Sequence, residues 1–99
     1  MKIRISGRAW ARIREQDEWL REHRGEAPDL FKEELRLAFE RILRAPNVRP
    51  VYATIEGESV WRVLMPVTGQ HVYFTIDGDS DEVVIEMLWG ARRKRGPSL

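Results

Sequence analysis

At Pro50 the spacing of apolar residues changes from threes and fours to twos. No single element accommodates both periods: a helix gathers residues three and four apart on one face, whereas a strand gathers every second residue. The chain therefore divides into a helical first half and a strand-rich second half. With 99 residues in all, the two halves must share one core. Residues 1–99 are read as a single domain of the α+β class.

Lys2 to Ser6 alternates polar and apolar residues, a short strand with Ile3 and Ile5 on one face. Ser6 is a suitable N-cap for a helix whose apolar stripe runs through Ala9, Trp10, Ile13 and Leu20. Asp17 and Arg21 are spaced for an ion pair along that helix, and Gly25 ends it. Pro28 suits the first turn of a second helix, with Asp29 near its positive end. Phe31, Leu35, Ala38, Ile42 and Ala45 continue that helix until Pro46 and Pro50 close it. Four strand candidates follow: Val51 to Ile55, Val60 to Val67, His71 to Ile76 and Glu82 to Trp89, with Gly57, Gly69 and Gly78 at the turns. Such close connections favour antiparallel neighbours. The expected fold is an N-terminal strand, a helical hairpin, then an antiparallel sheet of roughly three or four strands with both helices on one face.

Alternation assigns the faces. Trp61, Val63 and Met65, with Val72, Phe74 and Ile76, form the apolar set; Trp10, Ile13, Leu35, Phe39 and Ile42 are expected to pack on it from the helices. Arg62, His71 and Tyr73 then share an uncovered face, and Arg92 arrives there from the end of the last strand. Residues 92–99 form a basic tail that opens with Arg92, Arg93, Lys94 and Arg95. Positive charge beside aromatic rings and a histidine suits phosphate and unstacked RNA bases.

The 17 basic and 16 acidic residues nearly cancel, so the distribution of charge is informative and its sum is not. Cysteine is absent, which excludes disulfides, thiolate zinc sites and a thiol nucleophile. The N-terminus MKIRISGRAW lacks the apolar stretch of a signal peptide, and no segment approaches the ~20 apolar residues of a membrane span. A cytoplasmic protein without membrane contact is expected.

The element order, with the segments GRAWARIREQDEWL, RILRAPNVRPVY, VWRVLM, GQHVYFTID and VVIEMLWGARRKRGPSL, resembles the RelE/ParE superfamily of toxins from bacterial type II toxin–antitoxin systems. The resemblance spans essentially the whole chain and is strongest at the Trp-Gly-Ala-Arg-Arg ending. It implies a growth inhibitor neutralised by a cognate antitoxin protein, acting either on translated mRNA at the ribosome or on DNA gyrase; the alternative from another class is a non-toxic RNA- or protein-binding module. The RNA-cleaving members work without metal or cofactor: a base activates the 2′-hydroxyl, cations meet the charge that develops at phosphorus, and an acid protonates the leaving oxygen. Arg62 matches a basic position on the VWRVLM strand, and Arg92 the arginine just past the glycine of the last strand. His71 stands where those members usually carry arginine. Leu64 and Ser98 stand near where a lysine and a tyrosine are usual, so the constellation is incomplete. The resemblance makes Arg62, His71 and Arg92 the candidate catalytic groups, and Tyr73, Arg93, Lys94 and Arg95 the candidate target-binding groups. His23, in the charged stretch between the helices, reads as a surface residue.

Overall fold

The computed structural model describes residues 1–23, 25 and 29–99. Pro28, assigned above to a helix start, lies outside the described residues. The elements are β1 (Lys2–Ile5), α1 (Gly7–His23), α2 (Leu30–Arg44), β2 (Ala53–Ile55), β3 (Glu58–Met65), β4 (Gln70–Asp77) and β5 (Glu82–Gly90). The protein is α+β; the described residues form two helices and one five-stranded sheet in the order β1-β5-β4-β3-β2.

Ser6 starts α1 as its side chain implies: Ser6 Oγ accepts from the Ala9 amide at 3.1 Å and its carbonyl accepts from Trp10 N at 2.9 Å. The Ser6 amide also donates to the Ile85 carbonyl at 3.0 Å, which fixes the start of the helix against β5. Arg21 and Asp17 pair at 3.1 Å, and the exposed His23 stacks on Trp19 at 4.1 Å between ring centroids. Between β2 and β3, Glu56 and Gly57 both adopt positive φ, the two-residue hairpin turn in which glycine removes one of the two steric penalties.

The sheet is mixed, where alternation and short turns alone lead to an antiparallel one. β2 to β5 do pair antiparallel in sequence, but β1 adds to the free edge of β5 in parallel, Ile3 beside Val83 and Ile5 beside Ile85. This placement carries Ile3 and Ile5 onto the core that β5 already covers. Ala9 and Ile13 of α1, with Phe31, Leu35, Ala38 and Ile42 of α2, share that core with Val63, Met65, Val72, Phe74, Val83, Ile85 and Leu88. Both helices therefore lie on one sheet face. Trp10 is a correction: Ala9 and Ile13 are the positions aimed inward, and Trp10 on their flank is 50% exposed. Phe39 is half-buried at the margin of the core.

Glu34 interrupts the apolar stripe of α2, yet it is buried. Its carboxylate accepts from Val67 N at 2.6 Å, Thr68 N at 2.9 Å and Thr68 Oγ1 at 2.6 Å, tying α2 to the β3–β4 turn. These three donors replace the water lost on burial. No helix among the described residues is long and apolar enough to cross a membrane.

Candidate functional site

The second sheet face was expected to be uncovered, and it is not. Val60, Tyr73, Thr75 and Val84 are all buried there, with Tyr73 only 2% exposed, although none belongs to the helix-side core. The cover is Tyr52 together with the end of the chain. Tyr52 joins the β3 ladder through its amide, 2.8 Å from the Val60 carbonyl, and sets its ring edge-on to Tyr73 at 5.0 Å. Beyond β5 the chain turns, with Ala91 N on Gly69 O at 2.8 Å and Arg93 N on Gly90 O at 3.3 Å. It then returns over the sheet: Trp89 Nε1 donates to the Arg95 carbonyl at 2.8 Å, and Arg8 Nη1 donates to the Ser98 carbonyl at 2.9 Å. Leu99 borders a cavity of about 210 Å³ with Val60, Thr75 and Glu86. The end of the basic tail is a strap over this face.

Two cross-strand rows lie beneath and beside it: Leu64–His71–Trp89, and Arg62–Tyr73–Met87. A β-bulge sets the second half of each row. Phe74 opposes Ile85 but Tyr73 opposes Met87, so Glu86 is an extra residue in β5. Strict alternation from Val83 and Ile85 would turn Trp89 toward the helices. The extra residue sends Leu88 into the core and leaves Trp89 on the far face beside His71. Sequence reasoning missed Trp89 for this reason; the one available signal is that Leu88 suits a core position better than a polar face.

The result is a row of rings with cations at both ends. The Arg62 guanidinium sits 4.5 Å from the Tyr52 ring centroid, Tyr52 meets Tyr73, and Tyr73 meets His71 edge-on at 6.0 Å. At the far end Arg93 Cζ lies 4.2 Å over the Trp89 ring, with Arg12 Cζ 5.6 Å from the same ring. His71 and Arg62 are thus brought together with Tyr73 and Trp89. Arg92 is placed differently: with Arg93 it lines a cavity of about 440 Å³ bounded by Pro66, Val67, Thr68, Gly69 and Gly90. Among the described residues no hydrogen bond or ion pair joins Arg92 to Arg62 or His71. Lys94 and Arg95 are exposed at the root of the strap.

Burial pushes the His71 imidazole below its ordinary value, and the Arg62 charge pushes it further the same way. Both effects favour the neutral imidazole over the imidazolium, the form able to accept a proton. Burial, chiefly, pushes the Tyr73 phenol up, against the opposing hydrogen bond from Arg62, so the hydroxyl keeps its proton. Chemically, the face offers one neutral base, flat aromatic surfaces and flanking guanidinium groups. Comparison with protein-family models, with curated proteins and with solved structures finds no match.

Proposed function

We propose that the protein is the toxin of a bacterial type II toxin–antitoxin pair, of the RelE/ParE kind in fold, acting in the cytoplasm on RNA. The observation that carries this reading is His71 set in a row of rings between Arg62 and Arg93. Such a surface stacks single-stranded bases on its rings and meets their phosphates with its cations. In cleavage, His71 takes the proton of the 2′-hydroxyl as the 2′-oxygen bonds to phosphorus. Arg62 and Arg93 meet the charge that builds on the phosphorane, and the departing 5′-oxygen takes a proton from water. Arg92, at the end of the sheet, serves as a phosphate contact for the continuing strand.

A neutralising partner also has a suitable surface. The groove between α2 and the β3–β4 turn is walled by Leu30, Leu37, Pro66 and Val67 and has a volume of about 440 Å³. Arg41 and Arg44 line it beside Glu33, Glu34 and Glu40; Glu33 and Glu40 are paired with Arg36 and Glu34 is bonded to Val67 and Thr68, while among the described residues neither Arg41 nor Arg44 is paired with a carboxylate. An apolar antitoxin segment flanked by acidic residues fits this groove. Burial of Tyr73 under the strap favours a second reading, in which the outer surface of the basic tail contacts DNA gyrase and no RNA is cut.

The test is inducible expression in a bacterium, with growth and primer extension on messenger RNA as readouts. Wild type should arrest growth and give cuts within translated frames, and the product of the neighbouring reading frame should restore growth. His71→Ala should lower cutting by about 10²-fold or more, since proton transfer by a placed group is worth that much. Toxicity unchanged by His71→Ala, with DNA breaks in place of RNA cuts, would select the gyrase reading. No growth arrest at matched expression would remove both.

A further inference from the structure

The strap and the cations that precede it are separate in structure. Arg92 and Arg93 are held by the turn that Gly69 and Gly90 anchor, whereas residues 95–99 lie on the sheet with no strand pairing of their own. Among the described residues, both side-chain hydrogen bonds that hold the strap end on its backbone, at the Arg95 and Ser98 carbonyls. Its fit is nonetheless specific at one point. A Cβ at Gly96 would stand 2.6 Å from Tyr52 Oη, so any larger residue there must lift the strap or move Tyr52. Tyr52 carries Arg62 over its ring and Tyr73 against its edge and is 37% exposed, so a side chain at Gly96 separates the strap from Tyr52 whichever of the two moves. The strap thus occupies the ground beside Tyr52 and Trp89 where a stacked base would lie, and it engages the Trp89 indole donor.

We propose that residues 95–99 are an autoinhibitory cover, closed over the Tyr52–Tyr73–Trp89 surface and displaced when a single-stranded RNA segment takes that surface. This rests on the RNA reading above. Closure buries Tyr73, leaves Tyr52 partly exposed and leaves Arg92 outside, while Arg93 rests on the Trp89 ring. Phosphate thus meets Arg92 first, and bases reach Tyr73 and Trp89 only after the strap lifts and Arg93 turns to a phosphate. A ligand that binds only the open form has its affinity reduced by the open fraction.

The experiment compares three proteins: the full chain, a chain ending at Lys94, and Gly96→Val in the full chain. Each is titrated into fluorescently labelled hexauridine and hexaadenosine, with circular dichroism as the folding control. If the strap is closed about nine-tenths of the time, both altered proteins should bind about tenfold tighter. The chain ending at Lys94 also loses the Arg95 charge, so simple electrostatics predicts the opposite sign. Gly96→Val keeps every charge and serves as the measure if the shortened chain does not fold. Measurable binding by the full chain that is equal or weaker in both altered proteins would overturn the cover while leaving the RNA reading intact. Absence of binding by all three, with Tyr73 newly reactive to N-acetylimidazole in the altered proteins, would overturn the RNA reading and the cover of an RNA site with it.

Discussion

Tyr73 and Phe74 are neighbours on β4, point to opposite faces of the sheet, and are almost equally buried, at 2% and 0% exposure. What differs is the cover. Phe74 lies in the core shared with α1 and α2, stacked on Trp61 at 6.0 Å, beneath elements that satisfy their own backbone groups. Tyr73 lies under Tyr52 and a strap without secondary structure, held by two side-chain hydrogen bonds to its carbonyls. The comparison teaches that burial reports whether a group is covered, while the architecture of the cover decides how readily it is uncovered. One face is built to stay closed and the other is built to open.

Truncating each ring is the most direct way to break that comparison. Phe74→Ala leaves a cavity that two helices cannot collapse into, and should cost about 3–5 kcal/mol, a large part of a typical domain's stability. Tyr73→Ala removes a ring of similar size from beneath a cover that can settle, and should cost about 1–3 kcal/mol. Urea unfolding of both variants gives the two numbers. Equal costs, or a larger one for Tyr73→Ala, would mean that the strap is as firmly packed as the helices.

A smaller effect sharpens the helix side. Glu34→Gln keeps the shape but replaces one acceptor oxygen by a donor among the Val67 and Thr68 amides and the Thr68 hydroxyl. An amide NH₂ facing donors leaves buried groups unpaired, at about 1–3 kcal/mol. Thermal unfolding checks it, and a variant as stable as wild type would show that the α2 to β3–β4 tie contributes nothing.

How much of this was legible in the sequence follows from which signals are local. The period change at Pro50, the Ser6 cap and the glycine turns are local, and they placed helices and strands close to their observed bounds. The parallel pairing of β1 with β5 is not local: it joins residues about eighty apart, and no turn residue announces it. Tyr73 was assigned to the correct face but not to burial, because period two says which way a side chain points and nothing about what lies over it. Trp89 was lost to the bulge at Glu86, where one extra residue exchanges the faces of all that follow. Glu34 illustrates the converse: charge in an apolar stripe is a signal, but its three donors come from a turn that is distant in sequence.

The smallest expected effect is a pH dependence, and it returns to the face beneath the strap. Burial and the Arg62 charge hold His71 below its ordinary value in the folded chain. Above about pH 6.5 the ring is neutral whether folded or unfolded, so His71 adds no pH dependence there. Below that value the unfolded chain takes up a proton that the folded chain refuses, and stability falls until the pH passes the folded value. His71→Asn removes this loss, so the stability difference between wild type and variant should shift against wild type from pH 7.5 to pH 5, as read from urea midpoints. The strap sharpens the expectation. If the strap supplies part of the burial around His71, a chain ending at Lys94 should raise the imidazole toward its ordinary value, with Arg62 and the remaining burial still lowering it. Histidine titration by NMR in the two proteins measures that movement. An unmoved His71 would mean that its burial comes from Leu64, Tyr73 and Trp89 within the sheet, and that the strap shields the tyrosines but not the histidine.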